Sequence, residues 1–374
     1  MTTRILFIVP NLESAGDLTA LHSLQAGLSA DQYDLHGLTF SPGRTVAMPA
    51  SLATENWTTI TRRPPADLAA WWQFRRYLRR LQPHIIHFWQ PLDDAWTTLL
   101  TDLLYRGTIV LSVRDPSPSR IYHPNLATQL VCKRPYQVIT TTVCLRNELL
   151  AAGMAEGRCV VIPATVPIEP VDTNKSSLLS ELGLPAGSRL IGSLNPMQSW
   201  KQIQDLIWIT AVLRVATDDI HLVLNGHGSH RDRLQQYARQ TEIQQHVHWI
   251  DSSRNVNEWL PKVDCYASTT RHLGHSVGLV HAMSAAIPIT AIDCPGNREL
   301  IVSDDYGRLT PGGNCGAMAR ALWTLLGDAS LARQLGQQAR SHLGQLSTIE
   351  GMVQRHHQIY QSLPIGGPLP QALA

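Results

Sequence analysis

The chain alternates between short apolar runs and longer stretches in which apolar residues recur at every third or fourth position. Continuous apolar runs are typical of strands buried on both faces of a parallel sheet, and the longer period is typical of amphipathic helices. In the first half of the chain the runs predict strands at residues 5–9, 33–40, 84–88, 108–113, 137–141 and 159–163. The intervening stretches predict helices at residues 18–28, with Asp17 as N-cap after a loop, and at 67–81, 92–105 and 143–152.

The same alternation returns in the second half of the chain, after an interruption rich in proline and polar residues. Predicted strands there lie at residues 190–194, 220–224, 247–250, 265–267, 289–292 and 307–309. Predicted helices lie at residues 201–215, 231–239, 256–260, 277–287, 317–326, 331–342 and 349–363. This alternation indicates an α/β fold with doubly wound parallel sheets, and the interruption indicates two domains. Two such domains place a cleft between the carboxyl ends of their sheets, where ligands of open α/β folds bind.

Composition limits the function classes that fit this chain. Its 374 residues are 44% hydrophobic and 16% charged, which is enough apolar material for two buried cores. The net charge is +2 with no long basic run, which argues against nucleic acid as a partner. Six cysteines are scattered without a Cys-x-x-Cys pair, and the apolar run before Pro10 is too short for a signal peptide or a membrane span. These features predict a cytoplasmic protein with reduced thiols.

The predicted helix at residues 67–81 combines tryptophans with arginines. Trp71 and Trp72 lie in its first half, and its second half carries Arg75, Arg76, Arg79 and Arg80. Such a helix suits a peripheral contact with a membrane surface, and it also suits a core-packed helix with a solvated arginine face. We favour core packing and keep the membrane contact as the alternative.

A later stretch, residues 267–293, has the features of an anion site. It follows a predicted strand, contains Gly274 in a polar loop, and continues into a predicted helix that Ser276 caps and Pro288 ends. Backbone N–H groups at a helix N-terminus point toward an anion, and the helix dipole favours negative charge there. An ordinary strand-to-helix turn has the same pattern, so the stretch alone leaves both interpretations open.

The same residues resemble the nucleotide-sugar loop of glycosyltransferase family 4, whose fold type is called GT-B. That loop usually has Glu-Gly-x-Gly, then four residues, then Glu-Ala-Met-Ala. Gly274, Ala282 and Met283 match the pattern, whereas Leu273 and His281 stand where the family has its two glutamates. The resemblance covers nearly the whole chain, with further similar stretches at residues 8–12, 160–163 and 225–228.

The resemblance implies two Rossmann-like, doubly wound domains that face each other across a cleft. On this basis we expect an acceptor-side domain at residues 1–166, a linker at 167–187 and a nucleotide-sugar domain at 188–346. We expect residues 347–374 to form a helix that returns to the first domain, followed by a tail.

Members of the family transfer a sugar from a nucleotide diphosphate donor with retention at the anomeric carbon, and they need no metal or other cofactor. An arginine, a lysine and helix N-termini hold the diphosphate, since preorganised positive charge stabilises this leaving group. Lys201 matches the lysine, and Ser193 stands at the position of the arginine. The candidates to replace that arginine are Lys262, Arg271 and Arg298. The resemblance implies donor-binding roles for Gly16, Lys201, Gly226, Gly274, His275, Ser276, Val277 and His281.

Two residues are implied as catalytic. Arg114 follows the predicted strand 108–113 and stands where the family has its active-site histidine. Arginine does not act as an acid or base near neutral pH, but it can hold a phosphate or an acceptor. His87 lies in the predicted strand 84–88, where the family often has a histidine, although a core histidine is the commoner meaning of such a position.

Clustered histidines raise a metal-binding alternative that we do not favour. His272, His275 and His281 share one loop and helix, but no carboxylate or cysteine completes a site. His246 and His248 lie two positions apart, hence on one face of a predicted strand, and an exposed strand edge explains them better. A neutral His281 would keep one hydrogen-bond acceptor of the glutamate that it replaces, toward the donor ribose.

Three functions are compatible with these residues. The first is a glycosyltransferase that uses a nucleotide diphosphate-sugar and an unknown acceptor, such as a glycan or a lipid-linked molecule. The second is a catalytically degenerate homologue that binds a sugar, a nucleotide or a protein partner, because both motif glutamates, the arginine and the histidine are replaced. The third is a GT-B epimerase or phosphorylase-like enzyme, which no residue specifically favours. We favour the first.

Overall fold

The computed structural model describes residues 2–9, 15–41, 56–62, 67–114, 116–168, 172–251, 254–271 and 273–364. The chain folds into two compact units. Unit 1 takes its described residues from Met1–Leu12, Leu18–Pro163 and Ile349–Ala374, and unit 2 takes them from Glu13–Asp17 and Ala164–Thr348. Within the described ranges each unit contains one parallel sheet, so the prediction of two doubly wound α/β sheets is confirmed.

The described strands of unit 1 are β1 Thr3–Val9, β2 Tyr33–Ser41, β3 Trp57–Thr61, β4 Ile85–Trp89, β5 Thr108–Val113, β6 Gln137–Thr140 and β7 Cys159–Val161. They form one sheet in the order β3-β2-β1-β4-β5-β6-β7. In the register of β1, Ile5 lies opposite Leu35 of β2 and opposite Ile85 of β4. The side chains from Ile5 to Ile8 are fully buried, as expected of a strand covered on both faces.

The described helices that follow these strands in unit 1 are α1 Ala15–Gly27, α2 Leu68–Leu81, α3 Ala95–Leu104, α4 Pro118–Tyr122, α5 Leu126–Cys132 and α6 Val143–Ala151. Helix α2 begins after Asp67 because the Asp67 side chain accepts a hydrogen bond from the Ala70 N–H. Its buried stripe is Ala70, Phe74 and Leu78, at the spacing of one helix face.

The described strands of unit 2 are β8 Arg189–Leu194, β9 Ile220–Asn225, β10 Val247–Ile250, β11 Cys265–Ser268, β12 Ile289–Ile292 and β13 Arg308–Thr310. They form a second parallel sheet in the order β10-β9-β8-β11-β12-β13. In the register of β8, Ile191 lies opposite Leu222 of β9 and opposite Cys265 of β11.

The described helices of unit 2 are α7 Lys175–Glu181, α8 Ile203–Arg214, α9 Arg231–Gln240, α10 Val256–Trp259, α11 Val277–Ser284, α12 Pro295–Leu300, α13 Cys315–Gly327 and α14 Ala329–Leu346. The last described helix, α15 Ile349–Ser362, belongs to unit 1. Its residues Met352, Ile359 and Tyr360 share a core with residues of β1 and β4.

Several boundaries differ from the sequence predictions, and three of the differences concern residues or segments to which a role was assigned. Helix α1 begins at Ala15, so Asp17 lies inside the helix and is not its N-cap. Lys201 ends a short 3-10 helix, and α8 begins only at Ile203, because Gln202 adopts a left-handed conformation with a φ of 51°. The predicted linker at residues 167–187 contains α7, whose N-cap is Asn174.

The sequence analysis missed β3, α4 and α5. Strand β3 is short and rich in threonine, so it lacks the apolar run that marked the other strands, and it lies at an edge of the sheet. Helices α4 and α5 are five and seven residues long, which is too short for an apolar period to repeat. None of the helices in the described ranges combines the length and the apolarity that a membrane crossing demands.

Candidate active site

The carboxyl ends of β8 and β11 lie side by side in unit 2, at the point where the strand order changes direction. The chain continues from β8 toward β9 and β10 on one side, and from β11 toward β12 and β13 on the other. Ligands of open α/β sheets bind outside such a switch point, where the connections diverge. Residues 195–202 follow β8 and residues 269–276 follow β11, so four of the eight predicted donor-binding residues lie at this edge, namely Lys201, Gly274, His275 and Ser276.

Helix α11 starts at this edge of the sheet. Ser276 is its N-cap, and the Ser276 hydroxyl oxygen accepts a hydrogen bond from the Leu279 N–H at 3.4 Å. Every residue from Gly278 to Ser284 is buried. A Cβ atom on Gly278 would lie 2.1 Å from the hydroxyl oxygen of Tyr266, so only glycine allows this close approach. The first-turn N–H groups carry the positive end of the helix dipole, which favours an anion.

A neutral hydrogen-bond network joins the end of β8 to this helix N-terminus. Tyr266 is fully buried on β11, and its hydroxyl donates to the Leu194 carbonyl oxygen at 3.3 Å. The hydroxyl also hydrogen-bonds with the side chains of Ser276, Asn195 and Ser193. The Asn195 amide nitrogen in turn donates to Ser193 Oγ at 3.1 Å. Burial raises the pKa of Tyr266 far above its ordinary value, so the network carries no charge near neutral pH.

Lys201 is a buried cation attached to this network. Its side chain is 1% exposed, and Nζ lies 3.8 Å from the centre of the Trp200 ring. The Thr270 hydroxyl, in the loop after β11, is 3.0 Å from the Lys201 carbonyl oxygen and 3.4 Å from Asn195 Oδ1. The backbone of Lys201 is therefore tied to the residues that hold Ser276, and its side chain is not turned out to solvent.

Two of the three cations considered as replacements for the family arginine have partners of their own. Lys262 Nζ pairs with Asp172 at 3.1 Å, and Arg298 Nε pairs with Asp293 at 2.5 Å. Arg271 is exposed in the loop after β11, and it makes no ion pair with any residue that the structure describes. Arg271 is therefore the cation of the three that remains available at this edge of the sheet.

Two buried histidines occupy the segment around the start of α11. His275 Nδ1 accepts a hydrogen bond from the Ala164 N–H at 3.3 Å. His281 lies on α11, and burial lowers its pKa to about 4, so the ring is neutral at pH 7. Its Nε2 has no hydrogen-bond partner among the described residues, and this nitrogen can serve a ligand. Gly274 is buried before this helix, and Val277 is its first residue.

Glycines after β9 bring two loops of unit 2 together. Gly226 has a φ of 152°, and a Cβ atom there would lie 2.0 Å from the Asn195 carbonyl oxygen. A Cβ atom on Gly228 would likewise lie 2.4 Å from the Met197 carbonyl oxygen. Gly226 thus shapes the loop that carries Asn195, and its contact with a donor stays a prediction. Gly16 lies in the first turn of α1 rather than in the predicted loop, and its donor contact also stays a prediction.

The two residues predicted as catalytic lie in unit 1. Arg114 directly follows β5 and is 5% exposed. Its guanidinium carbon lies 4.8 Å from the centre of the Trp89 ring, and its backbone N–H donates to Gln90 Oε1 at 2.8 Å. These contacts hold a cation at the carboxyl end of a central strand, which is the edge where ligands of such sheets bind.

His87 is wholly buried on β4, and both of its ring nitrogens make hydrogen bonds. Nδ1 lies 2.7 Å from the Tyr360 hydroxyl oxygen, and Nε2 lies 2.7 Å from Ser112 Oγ. Burial first, and then the nearby His356 and Arg114, lower the pKa of His87 well below its ordinary value. This geometry favours the core interpretation of His87. A catalytic role would require the exchange of one of these partners, and it stays a prediction.

The histidines considered for metal binding have other surroundings. Among the described residues, no group of three or more histidine, cysteine, aspartate and glutamate side chains is arranged to hold a metal ion. His272 lies outside the described residues. His246 and His248 are half-buried against His221, whose ring stacks on His246 with centres 4.6 Å apart. Burial lowers the pKa of all three, which keeps them neutral at pH 7.

Sequence reasoning missed Tyr266, Asn195 and Thr270 as parts of this site. The position of Asn195, directly after a predicted strand, was a usable signal, because strand ends supply ligands in parallel sheets. Tyr266 lies inside an apolar run and has the pattern of an ordinary core aromatic. No local pattern shows that its hydroxyl reaches a residue 72 positions away.

Two protein-family models match this chain. The model described as Glycosyltransferase Family 4 matches residues 19–169, and the model described as Glycosyl transferases group 1 matches residues 174–342. The second match lies wholly within unit 2 and contains β8, β11 and α11.

Curated relatives are similar at low identity. N-acetyl-alpha-D-glucosaminyl L-malate synthase of Bacillus anthracis is 24% identical over 186 residues, which are 50% of this chain and 48% of the relative. The lipopolysaccharide core biosynthesis glycosyltransferase LpsE of Rhizobium meliloti is 22% identical over 288 residues, 76% of this chain and 78% of LpsE. The chain spans about half or less of the length of the first curated relatives that it matches.

A solved structure shares the whole architecture. The crystal structure of Anabaena HepE in complex with UDP and glucose has a TM-score of 0.81 at 18% identity, and the alignment covers 96% of this chain and 100% of that one. The two family matches and the shared two-sheet architecture show that the chain belongs to the group 1 / family 4 glycosyltransferases and has the GT-B fold.

Proposed function

We propose that this protein is a glycosyltransferase that moves a sugar from a nucleoside diphosphate-sugar to an acceptor with retention at the anomeric carbon. The observation that carries the proposal is that buried Lys201 and the N-terminus of α11 both lie at the carboxyl edge of the unit 2 sheet. One hydrogen-bond network at the switch point of a parallel sheet joins the backbone carbonyl of Lys201 to the capped helix N-terminus, and the Lys201 side chain is buried. This combination suits a diphosphate, which carries its negative charge on closely spaced oxygens.

The surroundings of this pair support an anion rather than a cation. Tyr266 and His281 are both buried and neutral, and the loop and helix from residue 269 to residue 284 contain no acidic residue. No carboxylate of that segment repels a phosphate, and burial leaves the Lys201 charge weakly screened. When the donor bond breaks, negative charge grows on the departing diphosphate, so fixed positive groups stabilise the transition state more than the ground state.

The remaining implied residues also take roles in the proposed reaction. We propose that Arg271 supplies the second positive charge that the family arginine would supply, and that the open His281 Nε2 hydrogen-bonds with the donor. We propose that Arg114 holds a phosphate or an acceptor oxygen. The departing diphosphate oxygen can take the proton of the acceptor, so the reaction does not require a base from the protein. His87 then serves to fix β4 against Tyr360 and Ser112.

The comparisons suggest which substrates to try. HepE of Anabaena has been crystallised with UDP-glucose, and its fold matches this chain with a TM-score of 0.80 at 18% identity. UDP-glucose is therefore the first donor to test. LpsE is described as a lipopolysaccharide core enzyme, so a glycan or a lipid-linked saccharide is the acceptor class that we propose.

A second candidate function is that of a binding protein without turnover. The observation that favours it is the buried, uncharged state of the two positions where the family has glutamates. Leu273 is 6% exposed, and His281 is neutral with a pKa of about 4. Neither side chain can accept as many hydrogen bonds from a donor sugar or ribose as a carboxylate does.

Calorimetric titration with UDP, GDP and ADP, followed by a turnover assay, separates these proposals. We expect at least one of the three nucleotides to bind, and we expect release of the free nucleotide from its sugar conjugate when an acceptor is supplied. Binding with no turnover of UDP-, GDP- or ADP-sugars across glycan and lipid-linked acceptors would select the second candidate. No binding of any of the three at millimolar concentration to a folded protein would exclude the first candidate.

A further inference from the structure

A polar cavity lies at the amino-terminal ends of the first strands of unit 1. Its volume is about 440 Å³, which is within the range of small-molecule sites. The side chains that line it come from β1, β2, β3 and the last turns of α2, and they include Arg4, Asp34, His36, Thr58, Tyr77 and Arg80. This is the opposite edge of the sheet from Arg114, so the cavity is separate from the sites described above.

The sequence of β2 explains why polar groups meet here. Side chains two positions apart share one face of a strand, so Asp34 and His36 lie on the same face as Phe40. Helix α2 packs on this face at its carboxyl end, where the ring centres of Phe40 and Phe74 are 5.4 Å apart, and the helix ends at Leu81. The apolar half of the face is therefore covered by the helix, and the polar half borders the cavity.

The carboxylate of Asp34 has a basic neighbour at each of its oxygens. Arg4 Nε donates to Oδ2 at 2.8 Å, and His36 Nε2 lies 2.9 Å from Oδ1 without the alignment of a hydrogen bond. Arg4 Nη1 also donates to the Leu81 carbonyl oxygen at 2.6 Å, which ties β1 to the end of α2. The charge of Asp34 is therefore compensated within the wall of the cavity, and these contacts hold the wall in one arrangement.

Arg80 adds a positive charge that the wall does not compensate. It lines the cavity, its side chain is exposed, and it makes no ion pair or hydrogen bond with any residue that the structure describes. Among the described lining residues Asp34 is the one acidic group, and Arg4 already pairs with it. Two guanidinium groups thus face one carboxylate, and a concave site with excess positive charge attracts an anion.

Neutral hydrogen-bonding groups lie beside Arg80. Tyr77 and Arg80 are three positions apart on α2, so their side chains are neighbours on the helix surface. The Tyr77 hydroxyl hydrogen-bonds with the Thr58 side chain, and both hydroxyl groups can accept a further bond. Asn56 also lines the cavity, and its amide nitrogen donates to the Leu35 carbonyl oxygen at 3.2 Å. Hydroxyl and amide groups of this kind suit the hydroxyl groups of a sugar.

We propose that this cavity binds an anionic monosaccharide, meaning a sugar that carries a phosphate or a carboxylate group. Arg80 holds the anionic group together with Arg4, whose contacts within the protein use Nε and Nη1 and leave Nη2 for the ligand. The planar guanidinium group matches the oxygens of a phosphate or a carboxylate. Tyr77, Thr58 and Asn56 hydrogen-bond with the sugar hydroxyls.

The position of the cavity separates this ligand from the chemistry of the proposed reaction. Strand β1 runs from Arg4 near this end to Val9 at the carboxyl end, and five steps of about 3.3 Å place the two ends roughly 16 Å apart. Ligands that react in such folds lie at the carboxyl edge. The bound sugar is therefore an additional ligand, and it is neither the reacting donor nor the reacting acceptor.

Calorimetric titration of the full chain tests this proposal with four probes, namely glucose 6-phosphate, glucuronate, glucose and inorganic phosphate. We expect at least one of the two anionic sugars to bind, about tenfold or more tightly than glucose or inorganic phosphate, because each of the latter lacks one of the two recognised groups. Arg80→Gln should weaken this binding roughly 10- to 150-fold, since a charge-assisted hydrogen bond is lost. Tyr77→Phe should weaken it about 2- to 10-fold, since one neutral hydrogen bond is lost.

Two variants serve as controls. Arg75 is an exposed residue of the same helix that does not line the cavity, so Arg75→Gln removes the same charge and should leave the binding of the anionic sugar unchanged. Lys201→Met should also bind this sugar like the unchanged protein, which distinguishes the cavity from the candidate diphosphate site of unit 2. Arg80→Gln should in turn keep the affinity for nucleoside diphosphates, because Arg80 belongs to unit 1.

Four results would overturn the proposal. The first is no binding of either anionic sugar to the folded protein at millimolar concentration. The second is equal affinity in Arg80→Gln and Arg75→Gln, which would place the ligand elsewhere. The third is a loss of sugar binding in Lys201→Met, which would assign the sugar to unit 2. The fourth is inorganic phosphate that binds as tightly as the anionic sugars, which would leave the hydroxyl contacts without a role. The nucleotide titration is a separate readout, so failure here leaves the proposed function standing.

Discussion

Among the described residues, Lys201 carries the only buried ammonium group at the edge of the unit 2 sheet. Its replacement by methionine removes this group and keeps an unbranched apolar stem of similar length. The stem continues to pack beside Trp200, whose ring centre is 3.8 Å from Nζ. The hydrogen bond from Thr270 goes to the carbonyl of residue 201, so the substitution leaves it in place. The change therefore tests the charge rather than the local fold.

The size of the effect follows from the contact that the charge would make. A hydrogen bond between charged partners contributes about 1.5–3 kcal/mol, which corresponds to a roughly 10- to 150-fold change in the dissociation constant. We expect Lys201→Met to weaken nucleoside diphosphate binding by this factor.

The assay is calorimetric titration with the nucleotide that binds best and with its nucleoside, which has no phosphate. The affinity of Lys201→Met for the nucleoside should be unchanged, since only the diphosphate meets the ammonium group. Lys262→Met is the matched control, because Lys262 belongs to the same unit but pairs with Asp172 and hydrogen-bonds with Ser177. If Lys201→Met binds the diphosphate within twofold of the unchanged protein, or if Lys262→Met is weakened equally, the assignment is wrong.

Three further predictions concern the surroundings of this charge. Gly278→Ala should lower the free energy of unfolding by about 1–3 kcal/mol, because its Cβ would lie 2.1 Å from the Tyr266 hydroxyl oxygen. The control Gly327→Ala should not change the free energy of unfolding, because no atom lies within 4 Å of the added Cβ. Equal urea midpoints for the two variants would refute this prediction. Tyr266→Phe should cost about 1 kcal/mol and weaken diphosphate binding, and full retention of both properties would show that the network is not needed. The folded pKa values of His281 and His356 are about 4, below the ordinary 6.5, so the unfolded chain binds more protons between these values. The free energy of unfolding should therefore be constant above about pH 6.5 and should fall as the pH drops toward 4, by up to about 3 kcal/mol for each histidine. A urea midpoint that is equal at pH 7.5 and pH 5 would contradict this prediction.

The strands and most helices could be predicted because their signals are local. Buried strands such as β1 and β5 are short, mainly apolar runs, which are typical of strands covered on both faces of a parallel sheet. The cap of α11 was also predictable, since Ser276 needs only its own loop and the Leu279 N–H to act as N-cap. Lys201 and Ser276 both lie at the predicted edge, because parallel strands direct their carboxyl ends to one side of a sheet.

The sequence predicted the surroundings of individual side chains less well than it predicted the strands and helices. The Nδ1 atom of His87 has its hydrogen-bond partner in Tyr360, which is 273 positions away in the sequence. This pair forms only when α15 packs into unit 1. Trp71 and Trp72 are neighbours in sequence, yet one is half-buried and the other is 62% exposed, because a helix turns adjacent residues by about 100°.

By itself the sequence determined the α/β alternation, the two parallel sheets and the positions of the chain that reach their carboxyl edges, because hydrophobic periodicity and capping act over a few residues. Tertiary structure alone decided that Tyr266 bridges β8 to Ser276, that His281 is neutral with an open nitrogen, and that Lys201 is buried. Hydrogen-bond partners and burial are set by segments far apart in the chain, and a local pattern contains no information about which distant segment arrives beside it.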